Sequence, residues 1–245
     1  MGKLDGKAAL VTGGSRGIGA AITRRLATDG ADVAFTYVNA ADSAAEVAAD
    51  IERAGRRGLA IEADAADPDA AATVEQAVAE LGRLDILVNN AGVFPTGPIE
   101  EVSLEEVDRT LALHTRAPYL TAQAAVRHMG AGGRIISIGS CFVERVPYPG
   151  ISLYAMSKAA LTGLTKGLAR DLGDRGISVT LVHPGSTDTD MNPADAPEAD
   201  AERGYIALGD YARPEEIAAT VAHLAGDEGR YLTGTVIAVD GGFAA

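Results

Sequence analysis

Seven short apolar runs alternate with longer helix-forming segments along almost the whole chain, and this alternation restricts the fold more than any other feature. The runs lie at 7–12, 32–37, 57–64, 84–90, 133–140, 177–184 and 235–242. Near-continuous apolar runs are typical of strands buried on both faces. Helical patterns occupy the segments at about 17–29, 42–54, 68–81, 103–129, 152–173 and 214–225. The order predicts an α/β fold with a doubly wound parallel sheet of about seven strands, flanked by helices.

The sequence shows no boundary between domains. No linker-like segment, internal repeat or low-complexity tract divides its 245 residues, so we expect one domain over 1–245. The one long stretch without clear periodicity is 185–214, GSTDTDMNPADAPEADAERGYIALGDYARP. Long loops inside compact domains are usually functional lids or disordered. Because this stretch follows a predicted strand, at the edge where ligands bind, we predict a substrate lid at about 186–213.

Composition excludes several classes of partner. The formal net charge of −13 argues against a surface for nucleic acids or anionic membranes, which would be repelled. The single cysteine, Cys141, rules out a disulfide within the chain. No run approaches the roughly 18 to 20 apolar residues of a membrane span, and the spacing of the histidines suggests no metal site. We therefore expect a soluble, cytoplasmic protein whose ligand is a small molecule.

A glycine-rich loop, VTGGSRGIGA, follows the first predicted strand and opens the first helix. Residues without side chains let the backbone approach a pyrophosphate, and the helix N-terminus favours its negative charge. A tight strand-to-helix turn also favours glycine, so the loop's position in the alternating pattern gives the signal its weight. The loop predicts a dinucleotide site that involves Gly13, Ser15, Arg16, Gly17, Ile18 and Gly19.

The second strand indicates which dinucleotide is bound. NAD sites usually place an acid at its end to accept hydrogen bonds from the ribose 2′-hydroxyl. Here the strand ends FTYVNA, with Tyr37 and no acid, while Arg16 lies in the glycine loop. A guanidinium suits a 2′-phosphate, and the missing carboxylate removes the main repulsion. The pattern favours NADP(H); the alternative is that Arg16 is simply a solvent-exposed loop residue.

Tyr154 and Lys158 lie four residues apart in the helical segment LYAMSKAAL. Residues i and i+4 share a helix face, so the ammonium can lie near the phenol. A nearby charge in a partly desolvated cleft can lower the phenol pKa from about 10 toward neutrality, which suits a general acid. Taken alone, the pair is better explained as part of a solvated helix face.

Five motifs in register resemble the short-chain dehydrogenase/reductase family over essentially the whole chain. They are TGGSRGIG, NNAG at 89–92, a serine that ends a strand (Ser140), Tyr154 with Lys158, and HPGSTDT at 183–189. The likeness includes bacterial NADPH-dependent carbonyl reductases and 3-oxoacyl-acyl-carrier-protein reductases. It implies a Rossmann-like fold, usually tetrameric, that moves a hydride between a nicotinamide and a carbonyl carbon.

The resemblance also implies roles for individual residues. Tyr154 would be the general acid/base, Lys158 would bind the nicotinamide ribose and lower the phenol pKa, and Ser140 would hydrogen-bond the substrate oxygen. The remaining cofactor contacts would come from Asp64, Ala65, Asn90, Ala91, Gly92, Pro184, Gly185, Thr187 and Thr189. In the same pattern Asn89 is a structural residue rather than a contact.

Two positions depart from the family pattern. His114 stands where the family has an asparagine that helps a water relay protons to the lysine; an imidazole titrates near pH 6.5 and can replace part of such a relay. The active serine is often thirteen residues before the tyrosine, which here is Cys141, whereas Ser140 is fourteen before it. We predict Ser140, because a one-residue insertion restores the register and a thiol is a weak donor.

The leading hypothesis is an NADPH-dependent oxidoreductase that reversibly reduces a ketone or aldehyde to an alcohol, and that forms a homotetramer. Phe94, Cys141, Val143, Tyr148 and Met191 are candidates for the apolar wall that selects its substrate. A 3-oxoacyl-carrier-protein substrate is less favoured, because the family's carrier-docking surfaces are usually basic and this chain is strongly acidic. A second class stays open: a non-catalytic regulator that binds a nucleotide such as a cyclic dinucleotide, to which the departure at His114 points.

Overall fold

The computed structural model describes residues 2–245, and its centre is a seven-stranded sheet in which every pairing is parallel. The strands are β1 (Ala8–Val11), β2 (Asp32–Tyr37), β3 (Gly58–Glu62), β4 (Ile86–Asn89), β5 (Arg134–Ile138), β6 (Ser178–Pro184) and β7 (Thr235–Val239). Their order in the sheet is β3-β2-β1-β4-β5-β6-β7. The predicted α/β, Rossmann-like, doubly wound fold is confirmed.

Helices cover both faces of this sheet. They are α1 (Gly17–Thr28), α2 (Ala41–Arg53), α3 (Ala72–Leu81), α4 (Leu104–Leu111), α5 (Ala117–Ala125), α6 (Ser152–Leu172), α7 (Ala199–Arg203) and α8 (Pro214–Ala225). One apolar core joins the sheet to α1, α2 and α8, and a second joins the opposite face to α3, α5 and α6. Among residues 2–245, no helix combines the length and apolar character needed to cross a membrane.

Two predicted helices differ from the structure for identifiable reasons. The helix expected from 68 begins at Ala72, because the Asp64 carboxylate accepts the Ala66 N–H at 2.9 Å and favours a turn there. The helix expected over 103–129 is broken by a π-helical turn at 112–116 and ends at Ala125. Pro118 has no N–H to offer the carbonyl four residues earlier, so regular helical bonding cannot continue through this point.

The strand order reverses between β1 and β4, whose crossovers run in opposite directions. In open α/β sheets, ligands bind at the carboxyl ends of the strands at such a reversal. The loops that follow β1, β4, β5 and β6 carry most of the candidate site residues. The fold therefore brings motifs from distant parts of the sequence to one edge of the sheet.

Candidate active site

The glycine-rich loop makes a sharp turn between β1 and α1. Gly13 and Gly17 have φ angles of +66° and +52°, in the left-handed region that favours glycine. A Cβ on Gly19 would lie 2.1 Å from the Gly13 carbonyl oxygen, so only glycine allows this close packing. The Gly13 N–H is fixed by the Thr36 hydroxyl at 3.0 Å. The loop thus brings the chain to a helix N-terminus with little side-chain bulk, as a bound pyrophosphate requires.

The charges around this loop suit an anion. Arg16 is exposed and immediately precedes α1, whose first turn holds no acidic residue. β2 ends at half-buried Tyr37, and no acid follows it directly in the chain, although Glu62 lies opposite it on β3. Asp64, after β3, binds the Arg109 guanidinium at 2.9 Å, and its interactions with Ala66 and Arg109 hold its pKa below the usual value despite partial burial. Arg16 therefore places a positive charge beside the loop, while the Asp64 carboxylate is paired with Arg109.

The NNAG motif supports the loop from the neighbouring strand. The Asn90 side-chain amide donates to the Thr12 and Gly13 carbonyls, both at 3.0 Å. The Thr12 hydroxyl accepts from the N–H groups of Asn90 and Ala91 at 3.0 and 3.1 Å. Asn89 lies one residue earlier and accepts from the Thr121 hydroxyl at 2.8 Å. The Asn90 side chain and backbone N–H are therefore occupied in holding the glycine loop, and its backbone carbonyl is what remains for a ligand.

The HPGSTDT segment closes over the same loop. Gly185 follows Pro184, and a Cβ there would lie 2.7 Å from the Asp240 Cα, so a side chain has no room. The buried Thr187 hydroxyl donates to the Gly185 carbonyl at 3.0 Å. The Thr189 methyl group lies 3.3 Å from the position that a Cβ would take on Gly17. The segment predicted to hold the nicotinamide end therefore contacts the loop predicted to hold the pyrophosphate, at this edge of the sheet.

Tyr154 lies in the first turn of α6, close to Ser140. Burial raises the pKa of Tyr154 to about 12, and the nearby Ser140 hydroxyl only partly opposes the rise. The lowering toward neutrality expected from Lys158 is not found in the protein alone, because the ammonium lies 5.9 Å from the phenol ring centroid and desolvation dominates. The phenol therefore holds its proton at neutral pH, as a proton donor must.

Lys158 is buried one turn further along the same helix. Its ammonium donates to the Ile138 carbonyl at 3.0 Å, at the end of β5. Burial lowers the pKa of Lys158 from 10.5 to about 8. The charge is therefore carried at neutral pH but is easily lost at moderately alkaline pH.

His114 lies in the π-helical turn and connects two elements of the site. Its Nε2 accepts the Val93 N–H at 3.0 Å, so Nδ1 carries the proton and donates to the Ser157 hydroxyl at 2.8 Å. Ser157 in turn donates to the Tyr154 carbonyl at 2.8 Å. Burial, aided by the Lys158 charge, lowers the pKa of His114 to about 2. The imidazole is thus neutral, and its two nitrogens connect the loop after β4 to α6.

Ser140 and Cys141 differ in their surroundings. The Ser140 hydroxyl accepts the Phe142 N–H at 3.2 Å, caps the short turn after β5, and interacts with Tyr154. Cys141 is packed in an apolar cluster with Phe142 and Ile151. Burial raises the pKa of the Cys141 thiol to about 12, which leaves it protonated and inert. The geometry favours the register that puts Ser140 beside the phenol.

Comparison with known proteins gives this arrangement a family. A family model described as enoyl-(acyl carrier protein) reductase matches residues 13–244. A short-chain dehydrogenase from Burkholderia cenocepacia, crystallised with NADP, is 56% identical; the match covers 99% of this chain and 100% of that one, with a TM-score of 0.98. The chain belongs to the short-chain dehydrogenase/reductase family.

Other relatives in this family carry different descriptions. A blue fluorescent protein from a metagenomic library, crystallised with NADPH, is 55% identical, with a TM-score of 0.97 and coverage of 99% of this chain and 100% of that one. The cyclic-di-GMP-binding biofilm dispersal mediator protein of Escherichia coli is 45% identical over 245 residues, which is all of both chains. The same family scaffold therefore occurs under both oxidoreductase and regulatory names.

This short-chain dehydrogenase/reductase has an aromatic wall beside its tyrosine. Phe94 meets the Tyr154 ring edge-on, with centroids 4.7 Å apart, and Phe142 lies 6.2 Å away. Tyr148 packs against Phe142 at 5.6 Å. Of the other wall candidates, Cys141 lies within the cluster and Met191 is 52% exposed.

Sequence reasoning missed part of this wall. Phe142, Tyr205 and Phe243 come from three distant segments, and their rings form a chain of contacts between 5.4 and 6.1 Å. An isolated aromatic residue in a loop gives no sequence signal of what it will pack against. Only the fold shows that these three rings belong to one apolar cluster with Tyr154.

Proposed function

We propose that this protein is an NADPH-dependent reductase that converts a ketone or aldehyde to an alcohol, reversibly, with Tyr154 as the general acid/base. The observation that carries the proposal is half-buried Tyr154 with buried Ser140 and Lys158, next to the glycine-rich loop. The test is to incubate the protein with NADPH and a panel of activated ketones and aldehydes, and to follow the nicotinamide absorbance. A loss of absorbance that depends on the substrate is expected. No loss of absorbance with any member of the panel would contradict the proposal.

NADP(H) is the cofactor in this proposal. Relatives 56% and 55% identical were crystallised with NADP and NADPH. The chain's own residues fit this cofactor. In the glycine-rich loop between β1 and α1, which we call the cofactor cradle, glycines occupy the positions where a Cβ would fill the space for the pyrophosphate, and Arg16 is exposed beside it. Arg16 and the acid-free end of β2 would hold the 2′-phosphate, Asp64 and Ala65 would lie by the adenine, and Thr187 and Thr189 by the nicotinamide end.

The chain's residues account for the proton half of the reduction. When bound, NADPH supplies the hydride that reduces the carbonyl carbon. Tyr154 donates its phenolic proton to the carbonyl oxygen, while Ser140 hydrogen-bonds the same oxygen and fixes its position. Lys158 provides a positive charge near the phenolate that remains. His114 and Ser157 hold the first turn of α6 against the end of β4, which keeps the phenol in place.

Replacing Arg16 with alanine is expected to weaken NADPH binding by about 10- to 100-fold, the usual value of a hydrogen-bonded charge pair. NADH binding should change by less than about threefold, because NADH lacks the 2′-phosphate that the guanidinium is proposed to contact. Fluorescence titration of both nucleotides against wild type and variant measures the difference. An equal loss for the two nucleotides, or a wild type that prefers NADH, would refute the cofactor assignment.

The rate of ketone reduction is expected to fall above about pH 8, at saturating NADPH, by about tenfold per pH unit. The cause is the pKa of Lys158, lowered by burial to about 8, so that its stabilising charge is lost as the pH rises. His114, whose pKa is about 2, should add no step between pH 5 and 8. Values of kcat/KM across pH 5 to 10 test both statements; a plateau that extends to pH 10 would contradict the first.

A second function has one specific observation in its favour. The 45% identical relative from Escherichia coli is named as a cyclic-di-GMP-binding mediator of biofilm dispersal. On that model the same fold would bind a cyclic dinucleotide and have no turnover. Tight binding of cyclic di-GMP, with no NADPH consumption on any carbonyl substrate, would favour the regulator over the reductase.

Three further parts of the proposal concern the whole molecule. We propose that the chain is a single domain over 1–245, that segment 186–213 is a substrate lid, and that four copies assemble in the cytoplasm. An apolar groove of about 350 Å³ supports assembly, because it lies open between α5 and α6, where exposed Tyr119 borders Leu120 and Leu164. A second copy of these helices would cover it.

A further inference from the structure

Glu202, on α7, is the point where three parts of segment 186–213 meet. Its Oε2 atom accepts hydrogen bonds from the Ser186 hydroxyl at 2.7 Å, the Tyr211 hydroxyl at 2.9 Å and the Asn192 amide at 3.1 Å. Ser186 begins the segment and Tyr211 lies near its end. A single carboxylate oxygen therefore ties the start, the middle and the end of the segment together.

A charged acceptor is what this junction requires. Hydrogen bonds to a carboxylate are shorter and stronger than those between neutral groups. The neighbouring Arg203 does not neutralise Glu202, since its guanidinium pairs with Asp200 at 2.9 Å and lies 3.6 Å from Asp210. Because all three donors converge on Oε2, a glutamine could place only a neutral amide oxygen there, which is a weaker acceptor for the three hydrogen bonds.

The junction also extends beyond the segment to the substrate wall. Tyr148 lies in the loop that follows Ser140, and burial, together with the nearby Glu202 carboxylate, raises the pKa of its phenol. Its ring lies 6.4 Å from that of Tyr205, three residues after Glu202. The carboxylate that joins the parts of the segment therefore also lies next to the aromatic rings of the wall.

The opposite side of the junction leads to the cofactor cradle. The two ends of the segment are joined by backbone bonds at 2.9 Å, from Asp188 N–H to the Ala212 carbonyl and from Ala212 N–H to the Ser186 carbonyl. From there the chain places Thr189 against Gly17 in the glycine loop. Displacement of Ser186 and Tyr211 would move Thr189 away from the cradle.

We infer that Glu202 is a positioning residue that holds segment 186–213 closed over the cofactor cradle and the substrate wall. The inference rests on the proposed function for the identity of what is enclosed. Glu202 touches neither reacting atom, so its loss should affect the binding of NADPH and substrate more than the chemical step.

The test compares Glu202→Gln with Glu198→Gln, a matched change at an exposed position one turn earlier in the chain. For Glu202→Gln we expect the Kd for NADPH and the KM for the ketone to rise about tenfold, as for the loss of a charged acceptor, with kcat changed less than about threefold. Glu198→Gln should match wild type. Equal NADPH affinity in the two variants, or a fall in kcat alone, would overturn the inference.

A second variant keeps the inference testable if Glu202→Gln does not fold. Tyr211→Phe removes one donor to Glu202 and leaves the backbone and the charge unchanged. We expect trypsin to cleave after Arg203 several-fold faster in Tyr211→Phe than in wild type, with NADPH restoring resistance. An unchanged cleavage rate would overturn the inference. Neither NADPH affinity nor cleavage needs turnover, so both decide the role of Glu202 even if no carbonyl substrate is reduced.

Discussion

Replacing Tyr154 with phenylalanine is expected to lower kcat for ketone reduction by about 10³-fold, within the range for the loss of a general acid. The change removes one oxygen and keeps the ring that packs edge-on against Phe94 at 4.7 Å. Because the pKa of Tyr154 is raised to about 12, the phenol is protonated at neutral pH and ready to donate. The variant should therefore fold and bind NADPH normally while it fails in the chemical step.

The measurement is single-turnover NADPH oxidation, alongside an NADPH titration of the same sample. Tyr231→Phe is the matched control, since Tyr231 is 90% exposed in the loop before β7 and belongs neither to the proposed site nor to the proposed subunit contact. The control should retain full activity. Turnover by Tyr154→Phe within about tenfold of wild type would show that another group donates the proton.

Replacing Ser140 with alanine is expected to lower kcat by about 10²- to 10³-fold, comparable to the loss of one oxyanion-hole donor. The serine hydroxyl interacts with Tyr154 and caps the turn that follows β5. Alanine fits the same buried space but leaves the substrate oxygen without this hydrogen bond. The turn itself stays packed through Phe142 and Ile151.

Cys141→Ala provides the paired comparison. Its thiol is buried in an apolar cluster with its pKa raised to about 12, so most activity should survive its removal. Steady-state kinetics and thermal unfolding of both variants separate chemistry from folding. If Cys141→Ala loses more activity than Ser140→Ala at equal stability, the register that assigns Ser140 to the site is wrong.

The sheet was largely predictable because each strand carries its own local pattern. β2 was predicted over its full length, 32–37, and the other strands to within one to three residues at either end. The helices at 68–81 and 103–129 were less predictable, because their ends depend on particular contacts. The Asp64 turn precedes the first helix and the missing N–H of Pro118 breaks the second, and helical periodicity reports neither of them.

The candidate site was predictable in its members but not in their chemistry. Motif order indicated that Tyr154, Lys158 and Ser140 would converge, and the structure brings them to one edge of the sheet. The phenol pKa was expected to fall, yet burial raises it, because desolvation depends on how completely neighbouring rings cover the group. Likewise, only the three-dimensional contacts reveal that both nitrogens of His114 are bonded.

Segment 186–213 was also only partly predictable from the sequence. Its lack of periodicity marked it as a candidate lid, but Glu202 is one of several acids in a stretch rich in them. Three donors from distant positions single it out, and their convergence depends on the backbone closure at Ala212. Sequence pattern cannot distinguish such a junction from a solvated carboxylate.

The most direct test of the central claim follows the hydride itself. NADPH that carries deuterium at the transferring position of nicotinamide C4 is incubated with the protein and an activated ketone, and the alcohol is analysed by mass spectrometry. Our account predicts one deuterium on the carbinol carbon with wild-type protein, and almost none with Tyr154→Phe in the same time. The absence of deuterated alcohol from every ketone and aldehyde tested, with NADPH bound, would contradict it.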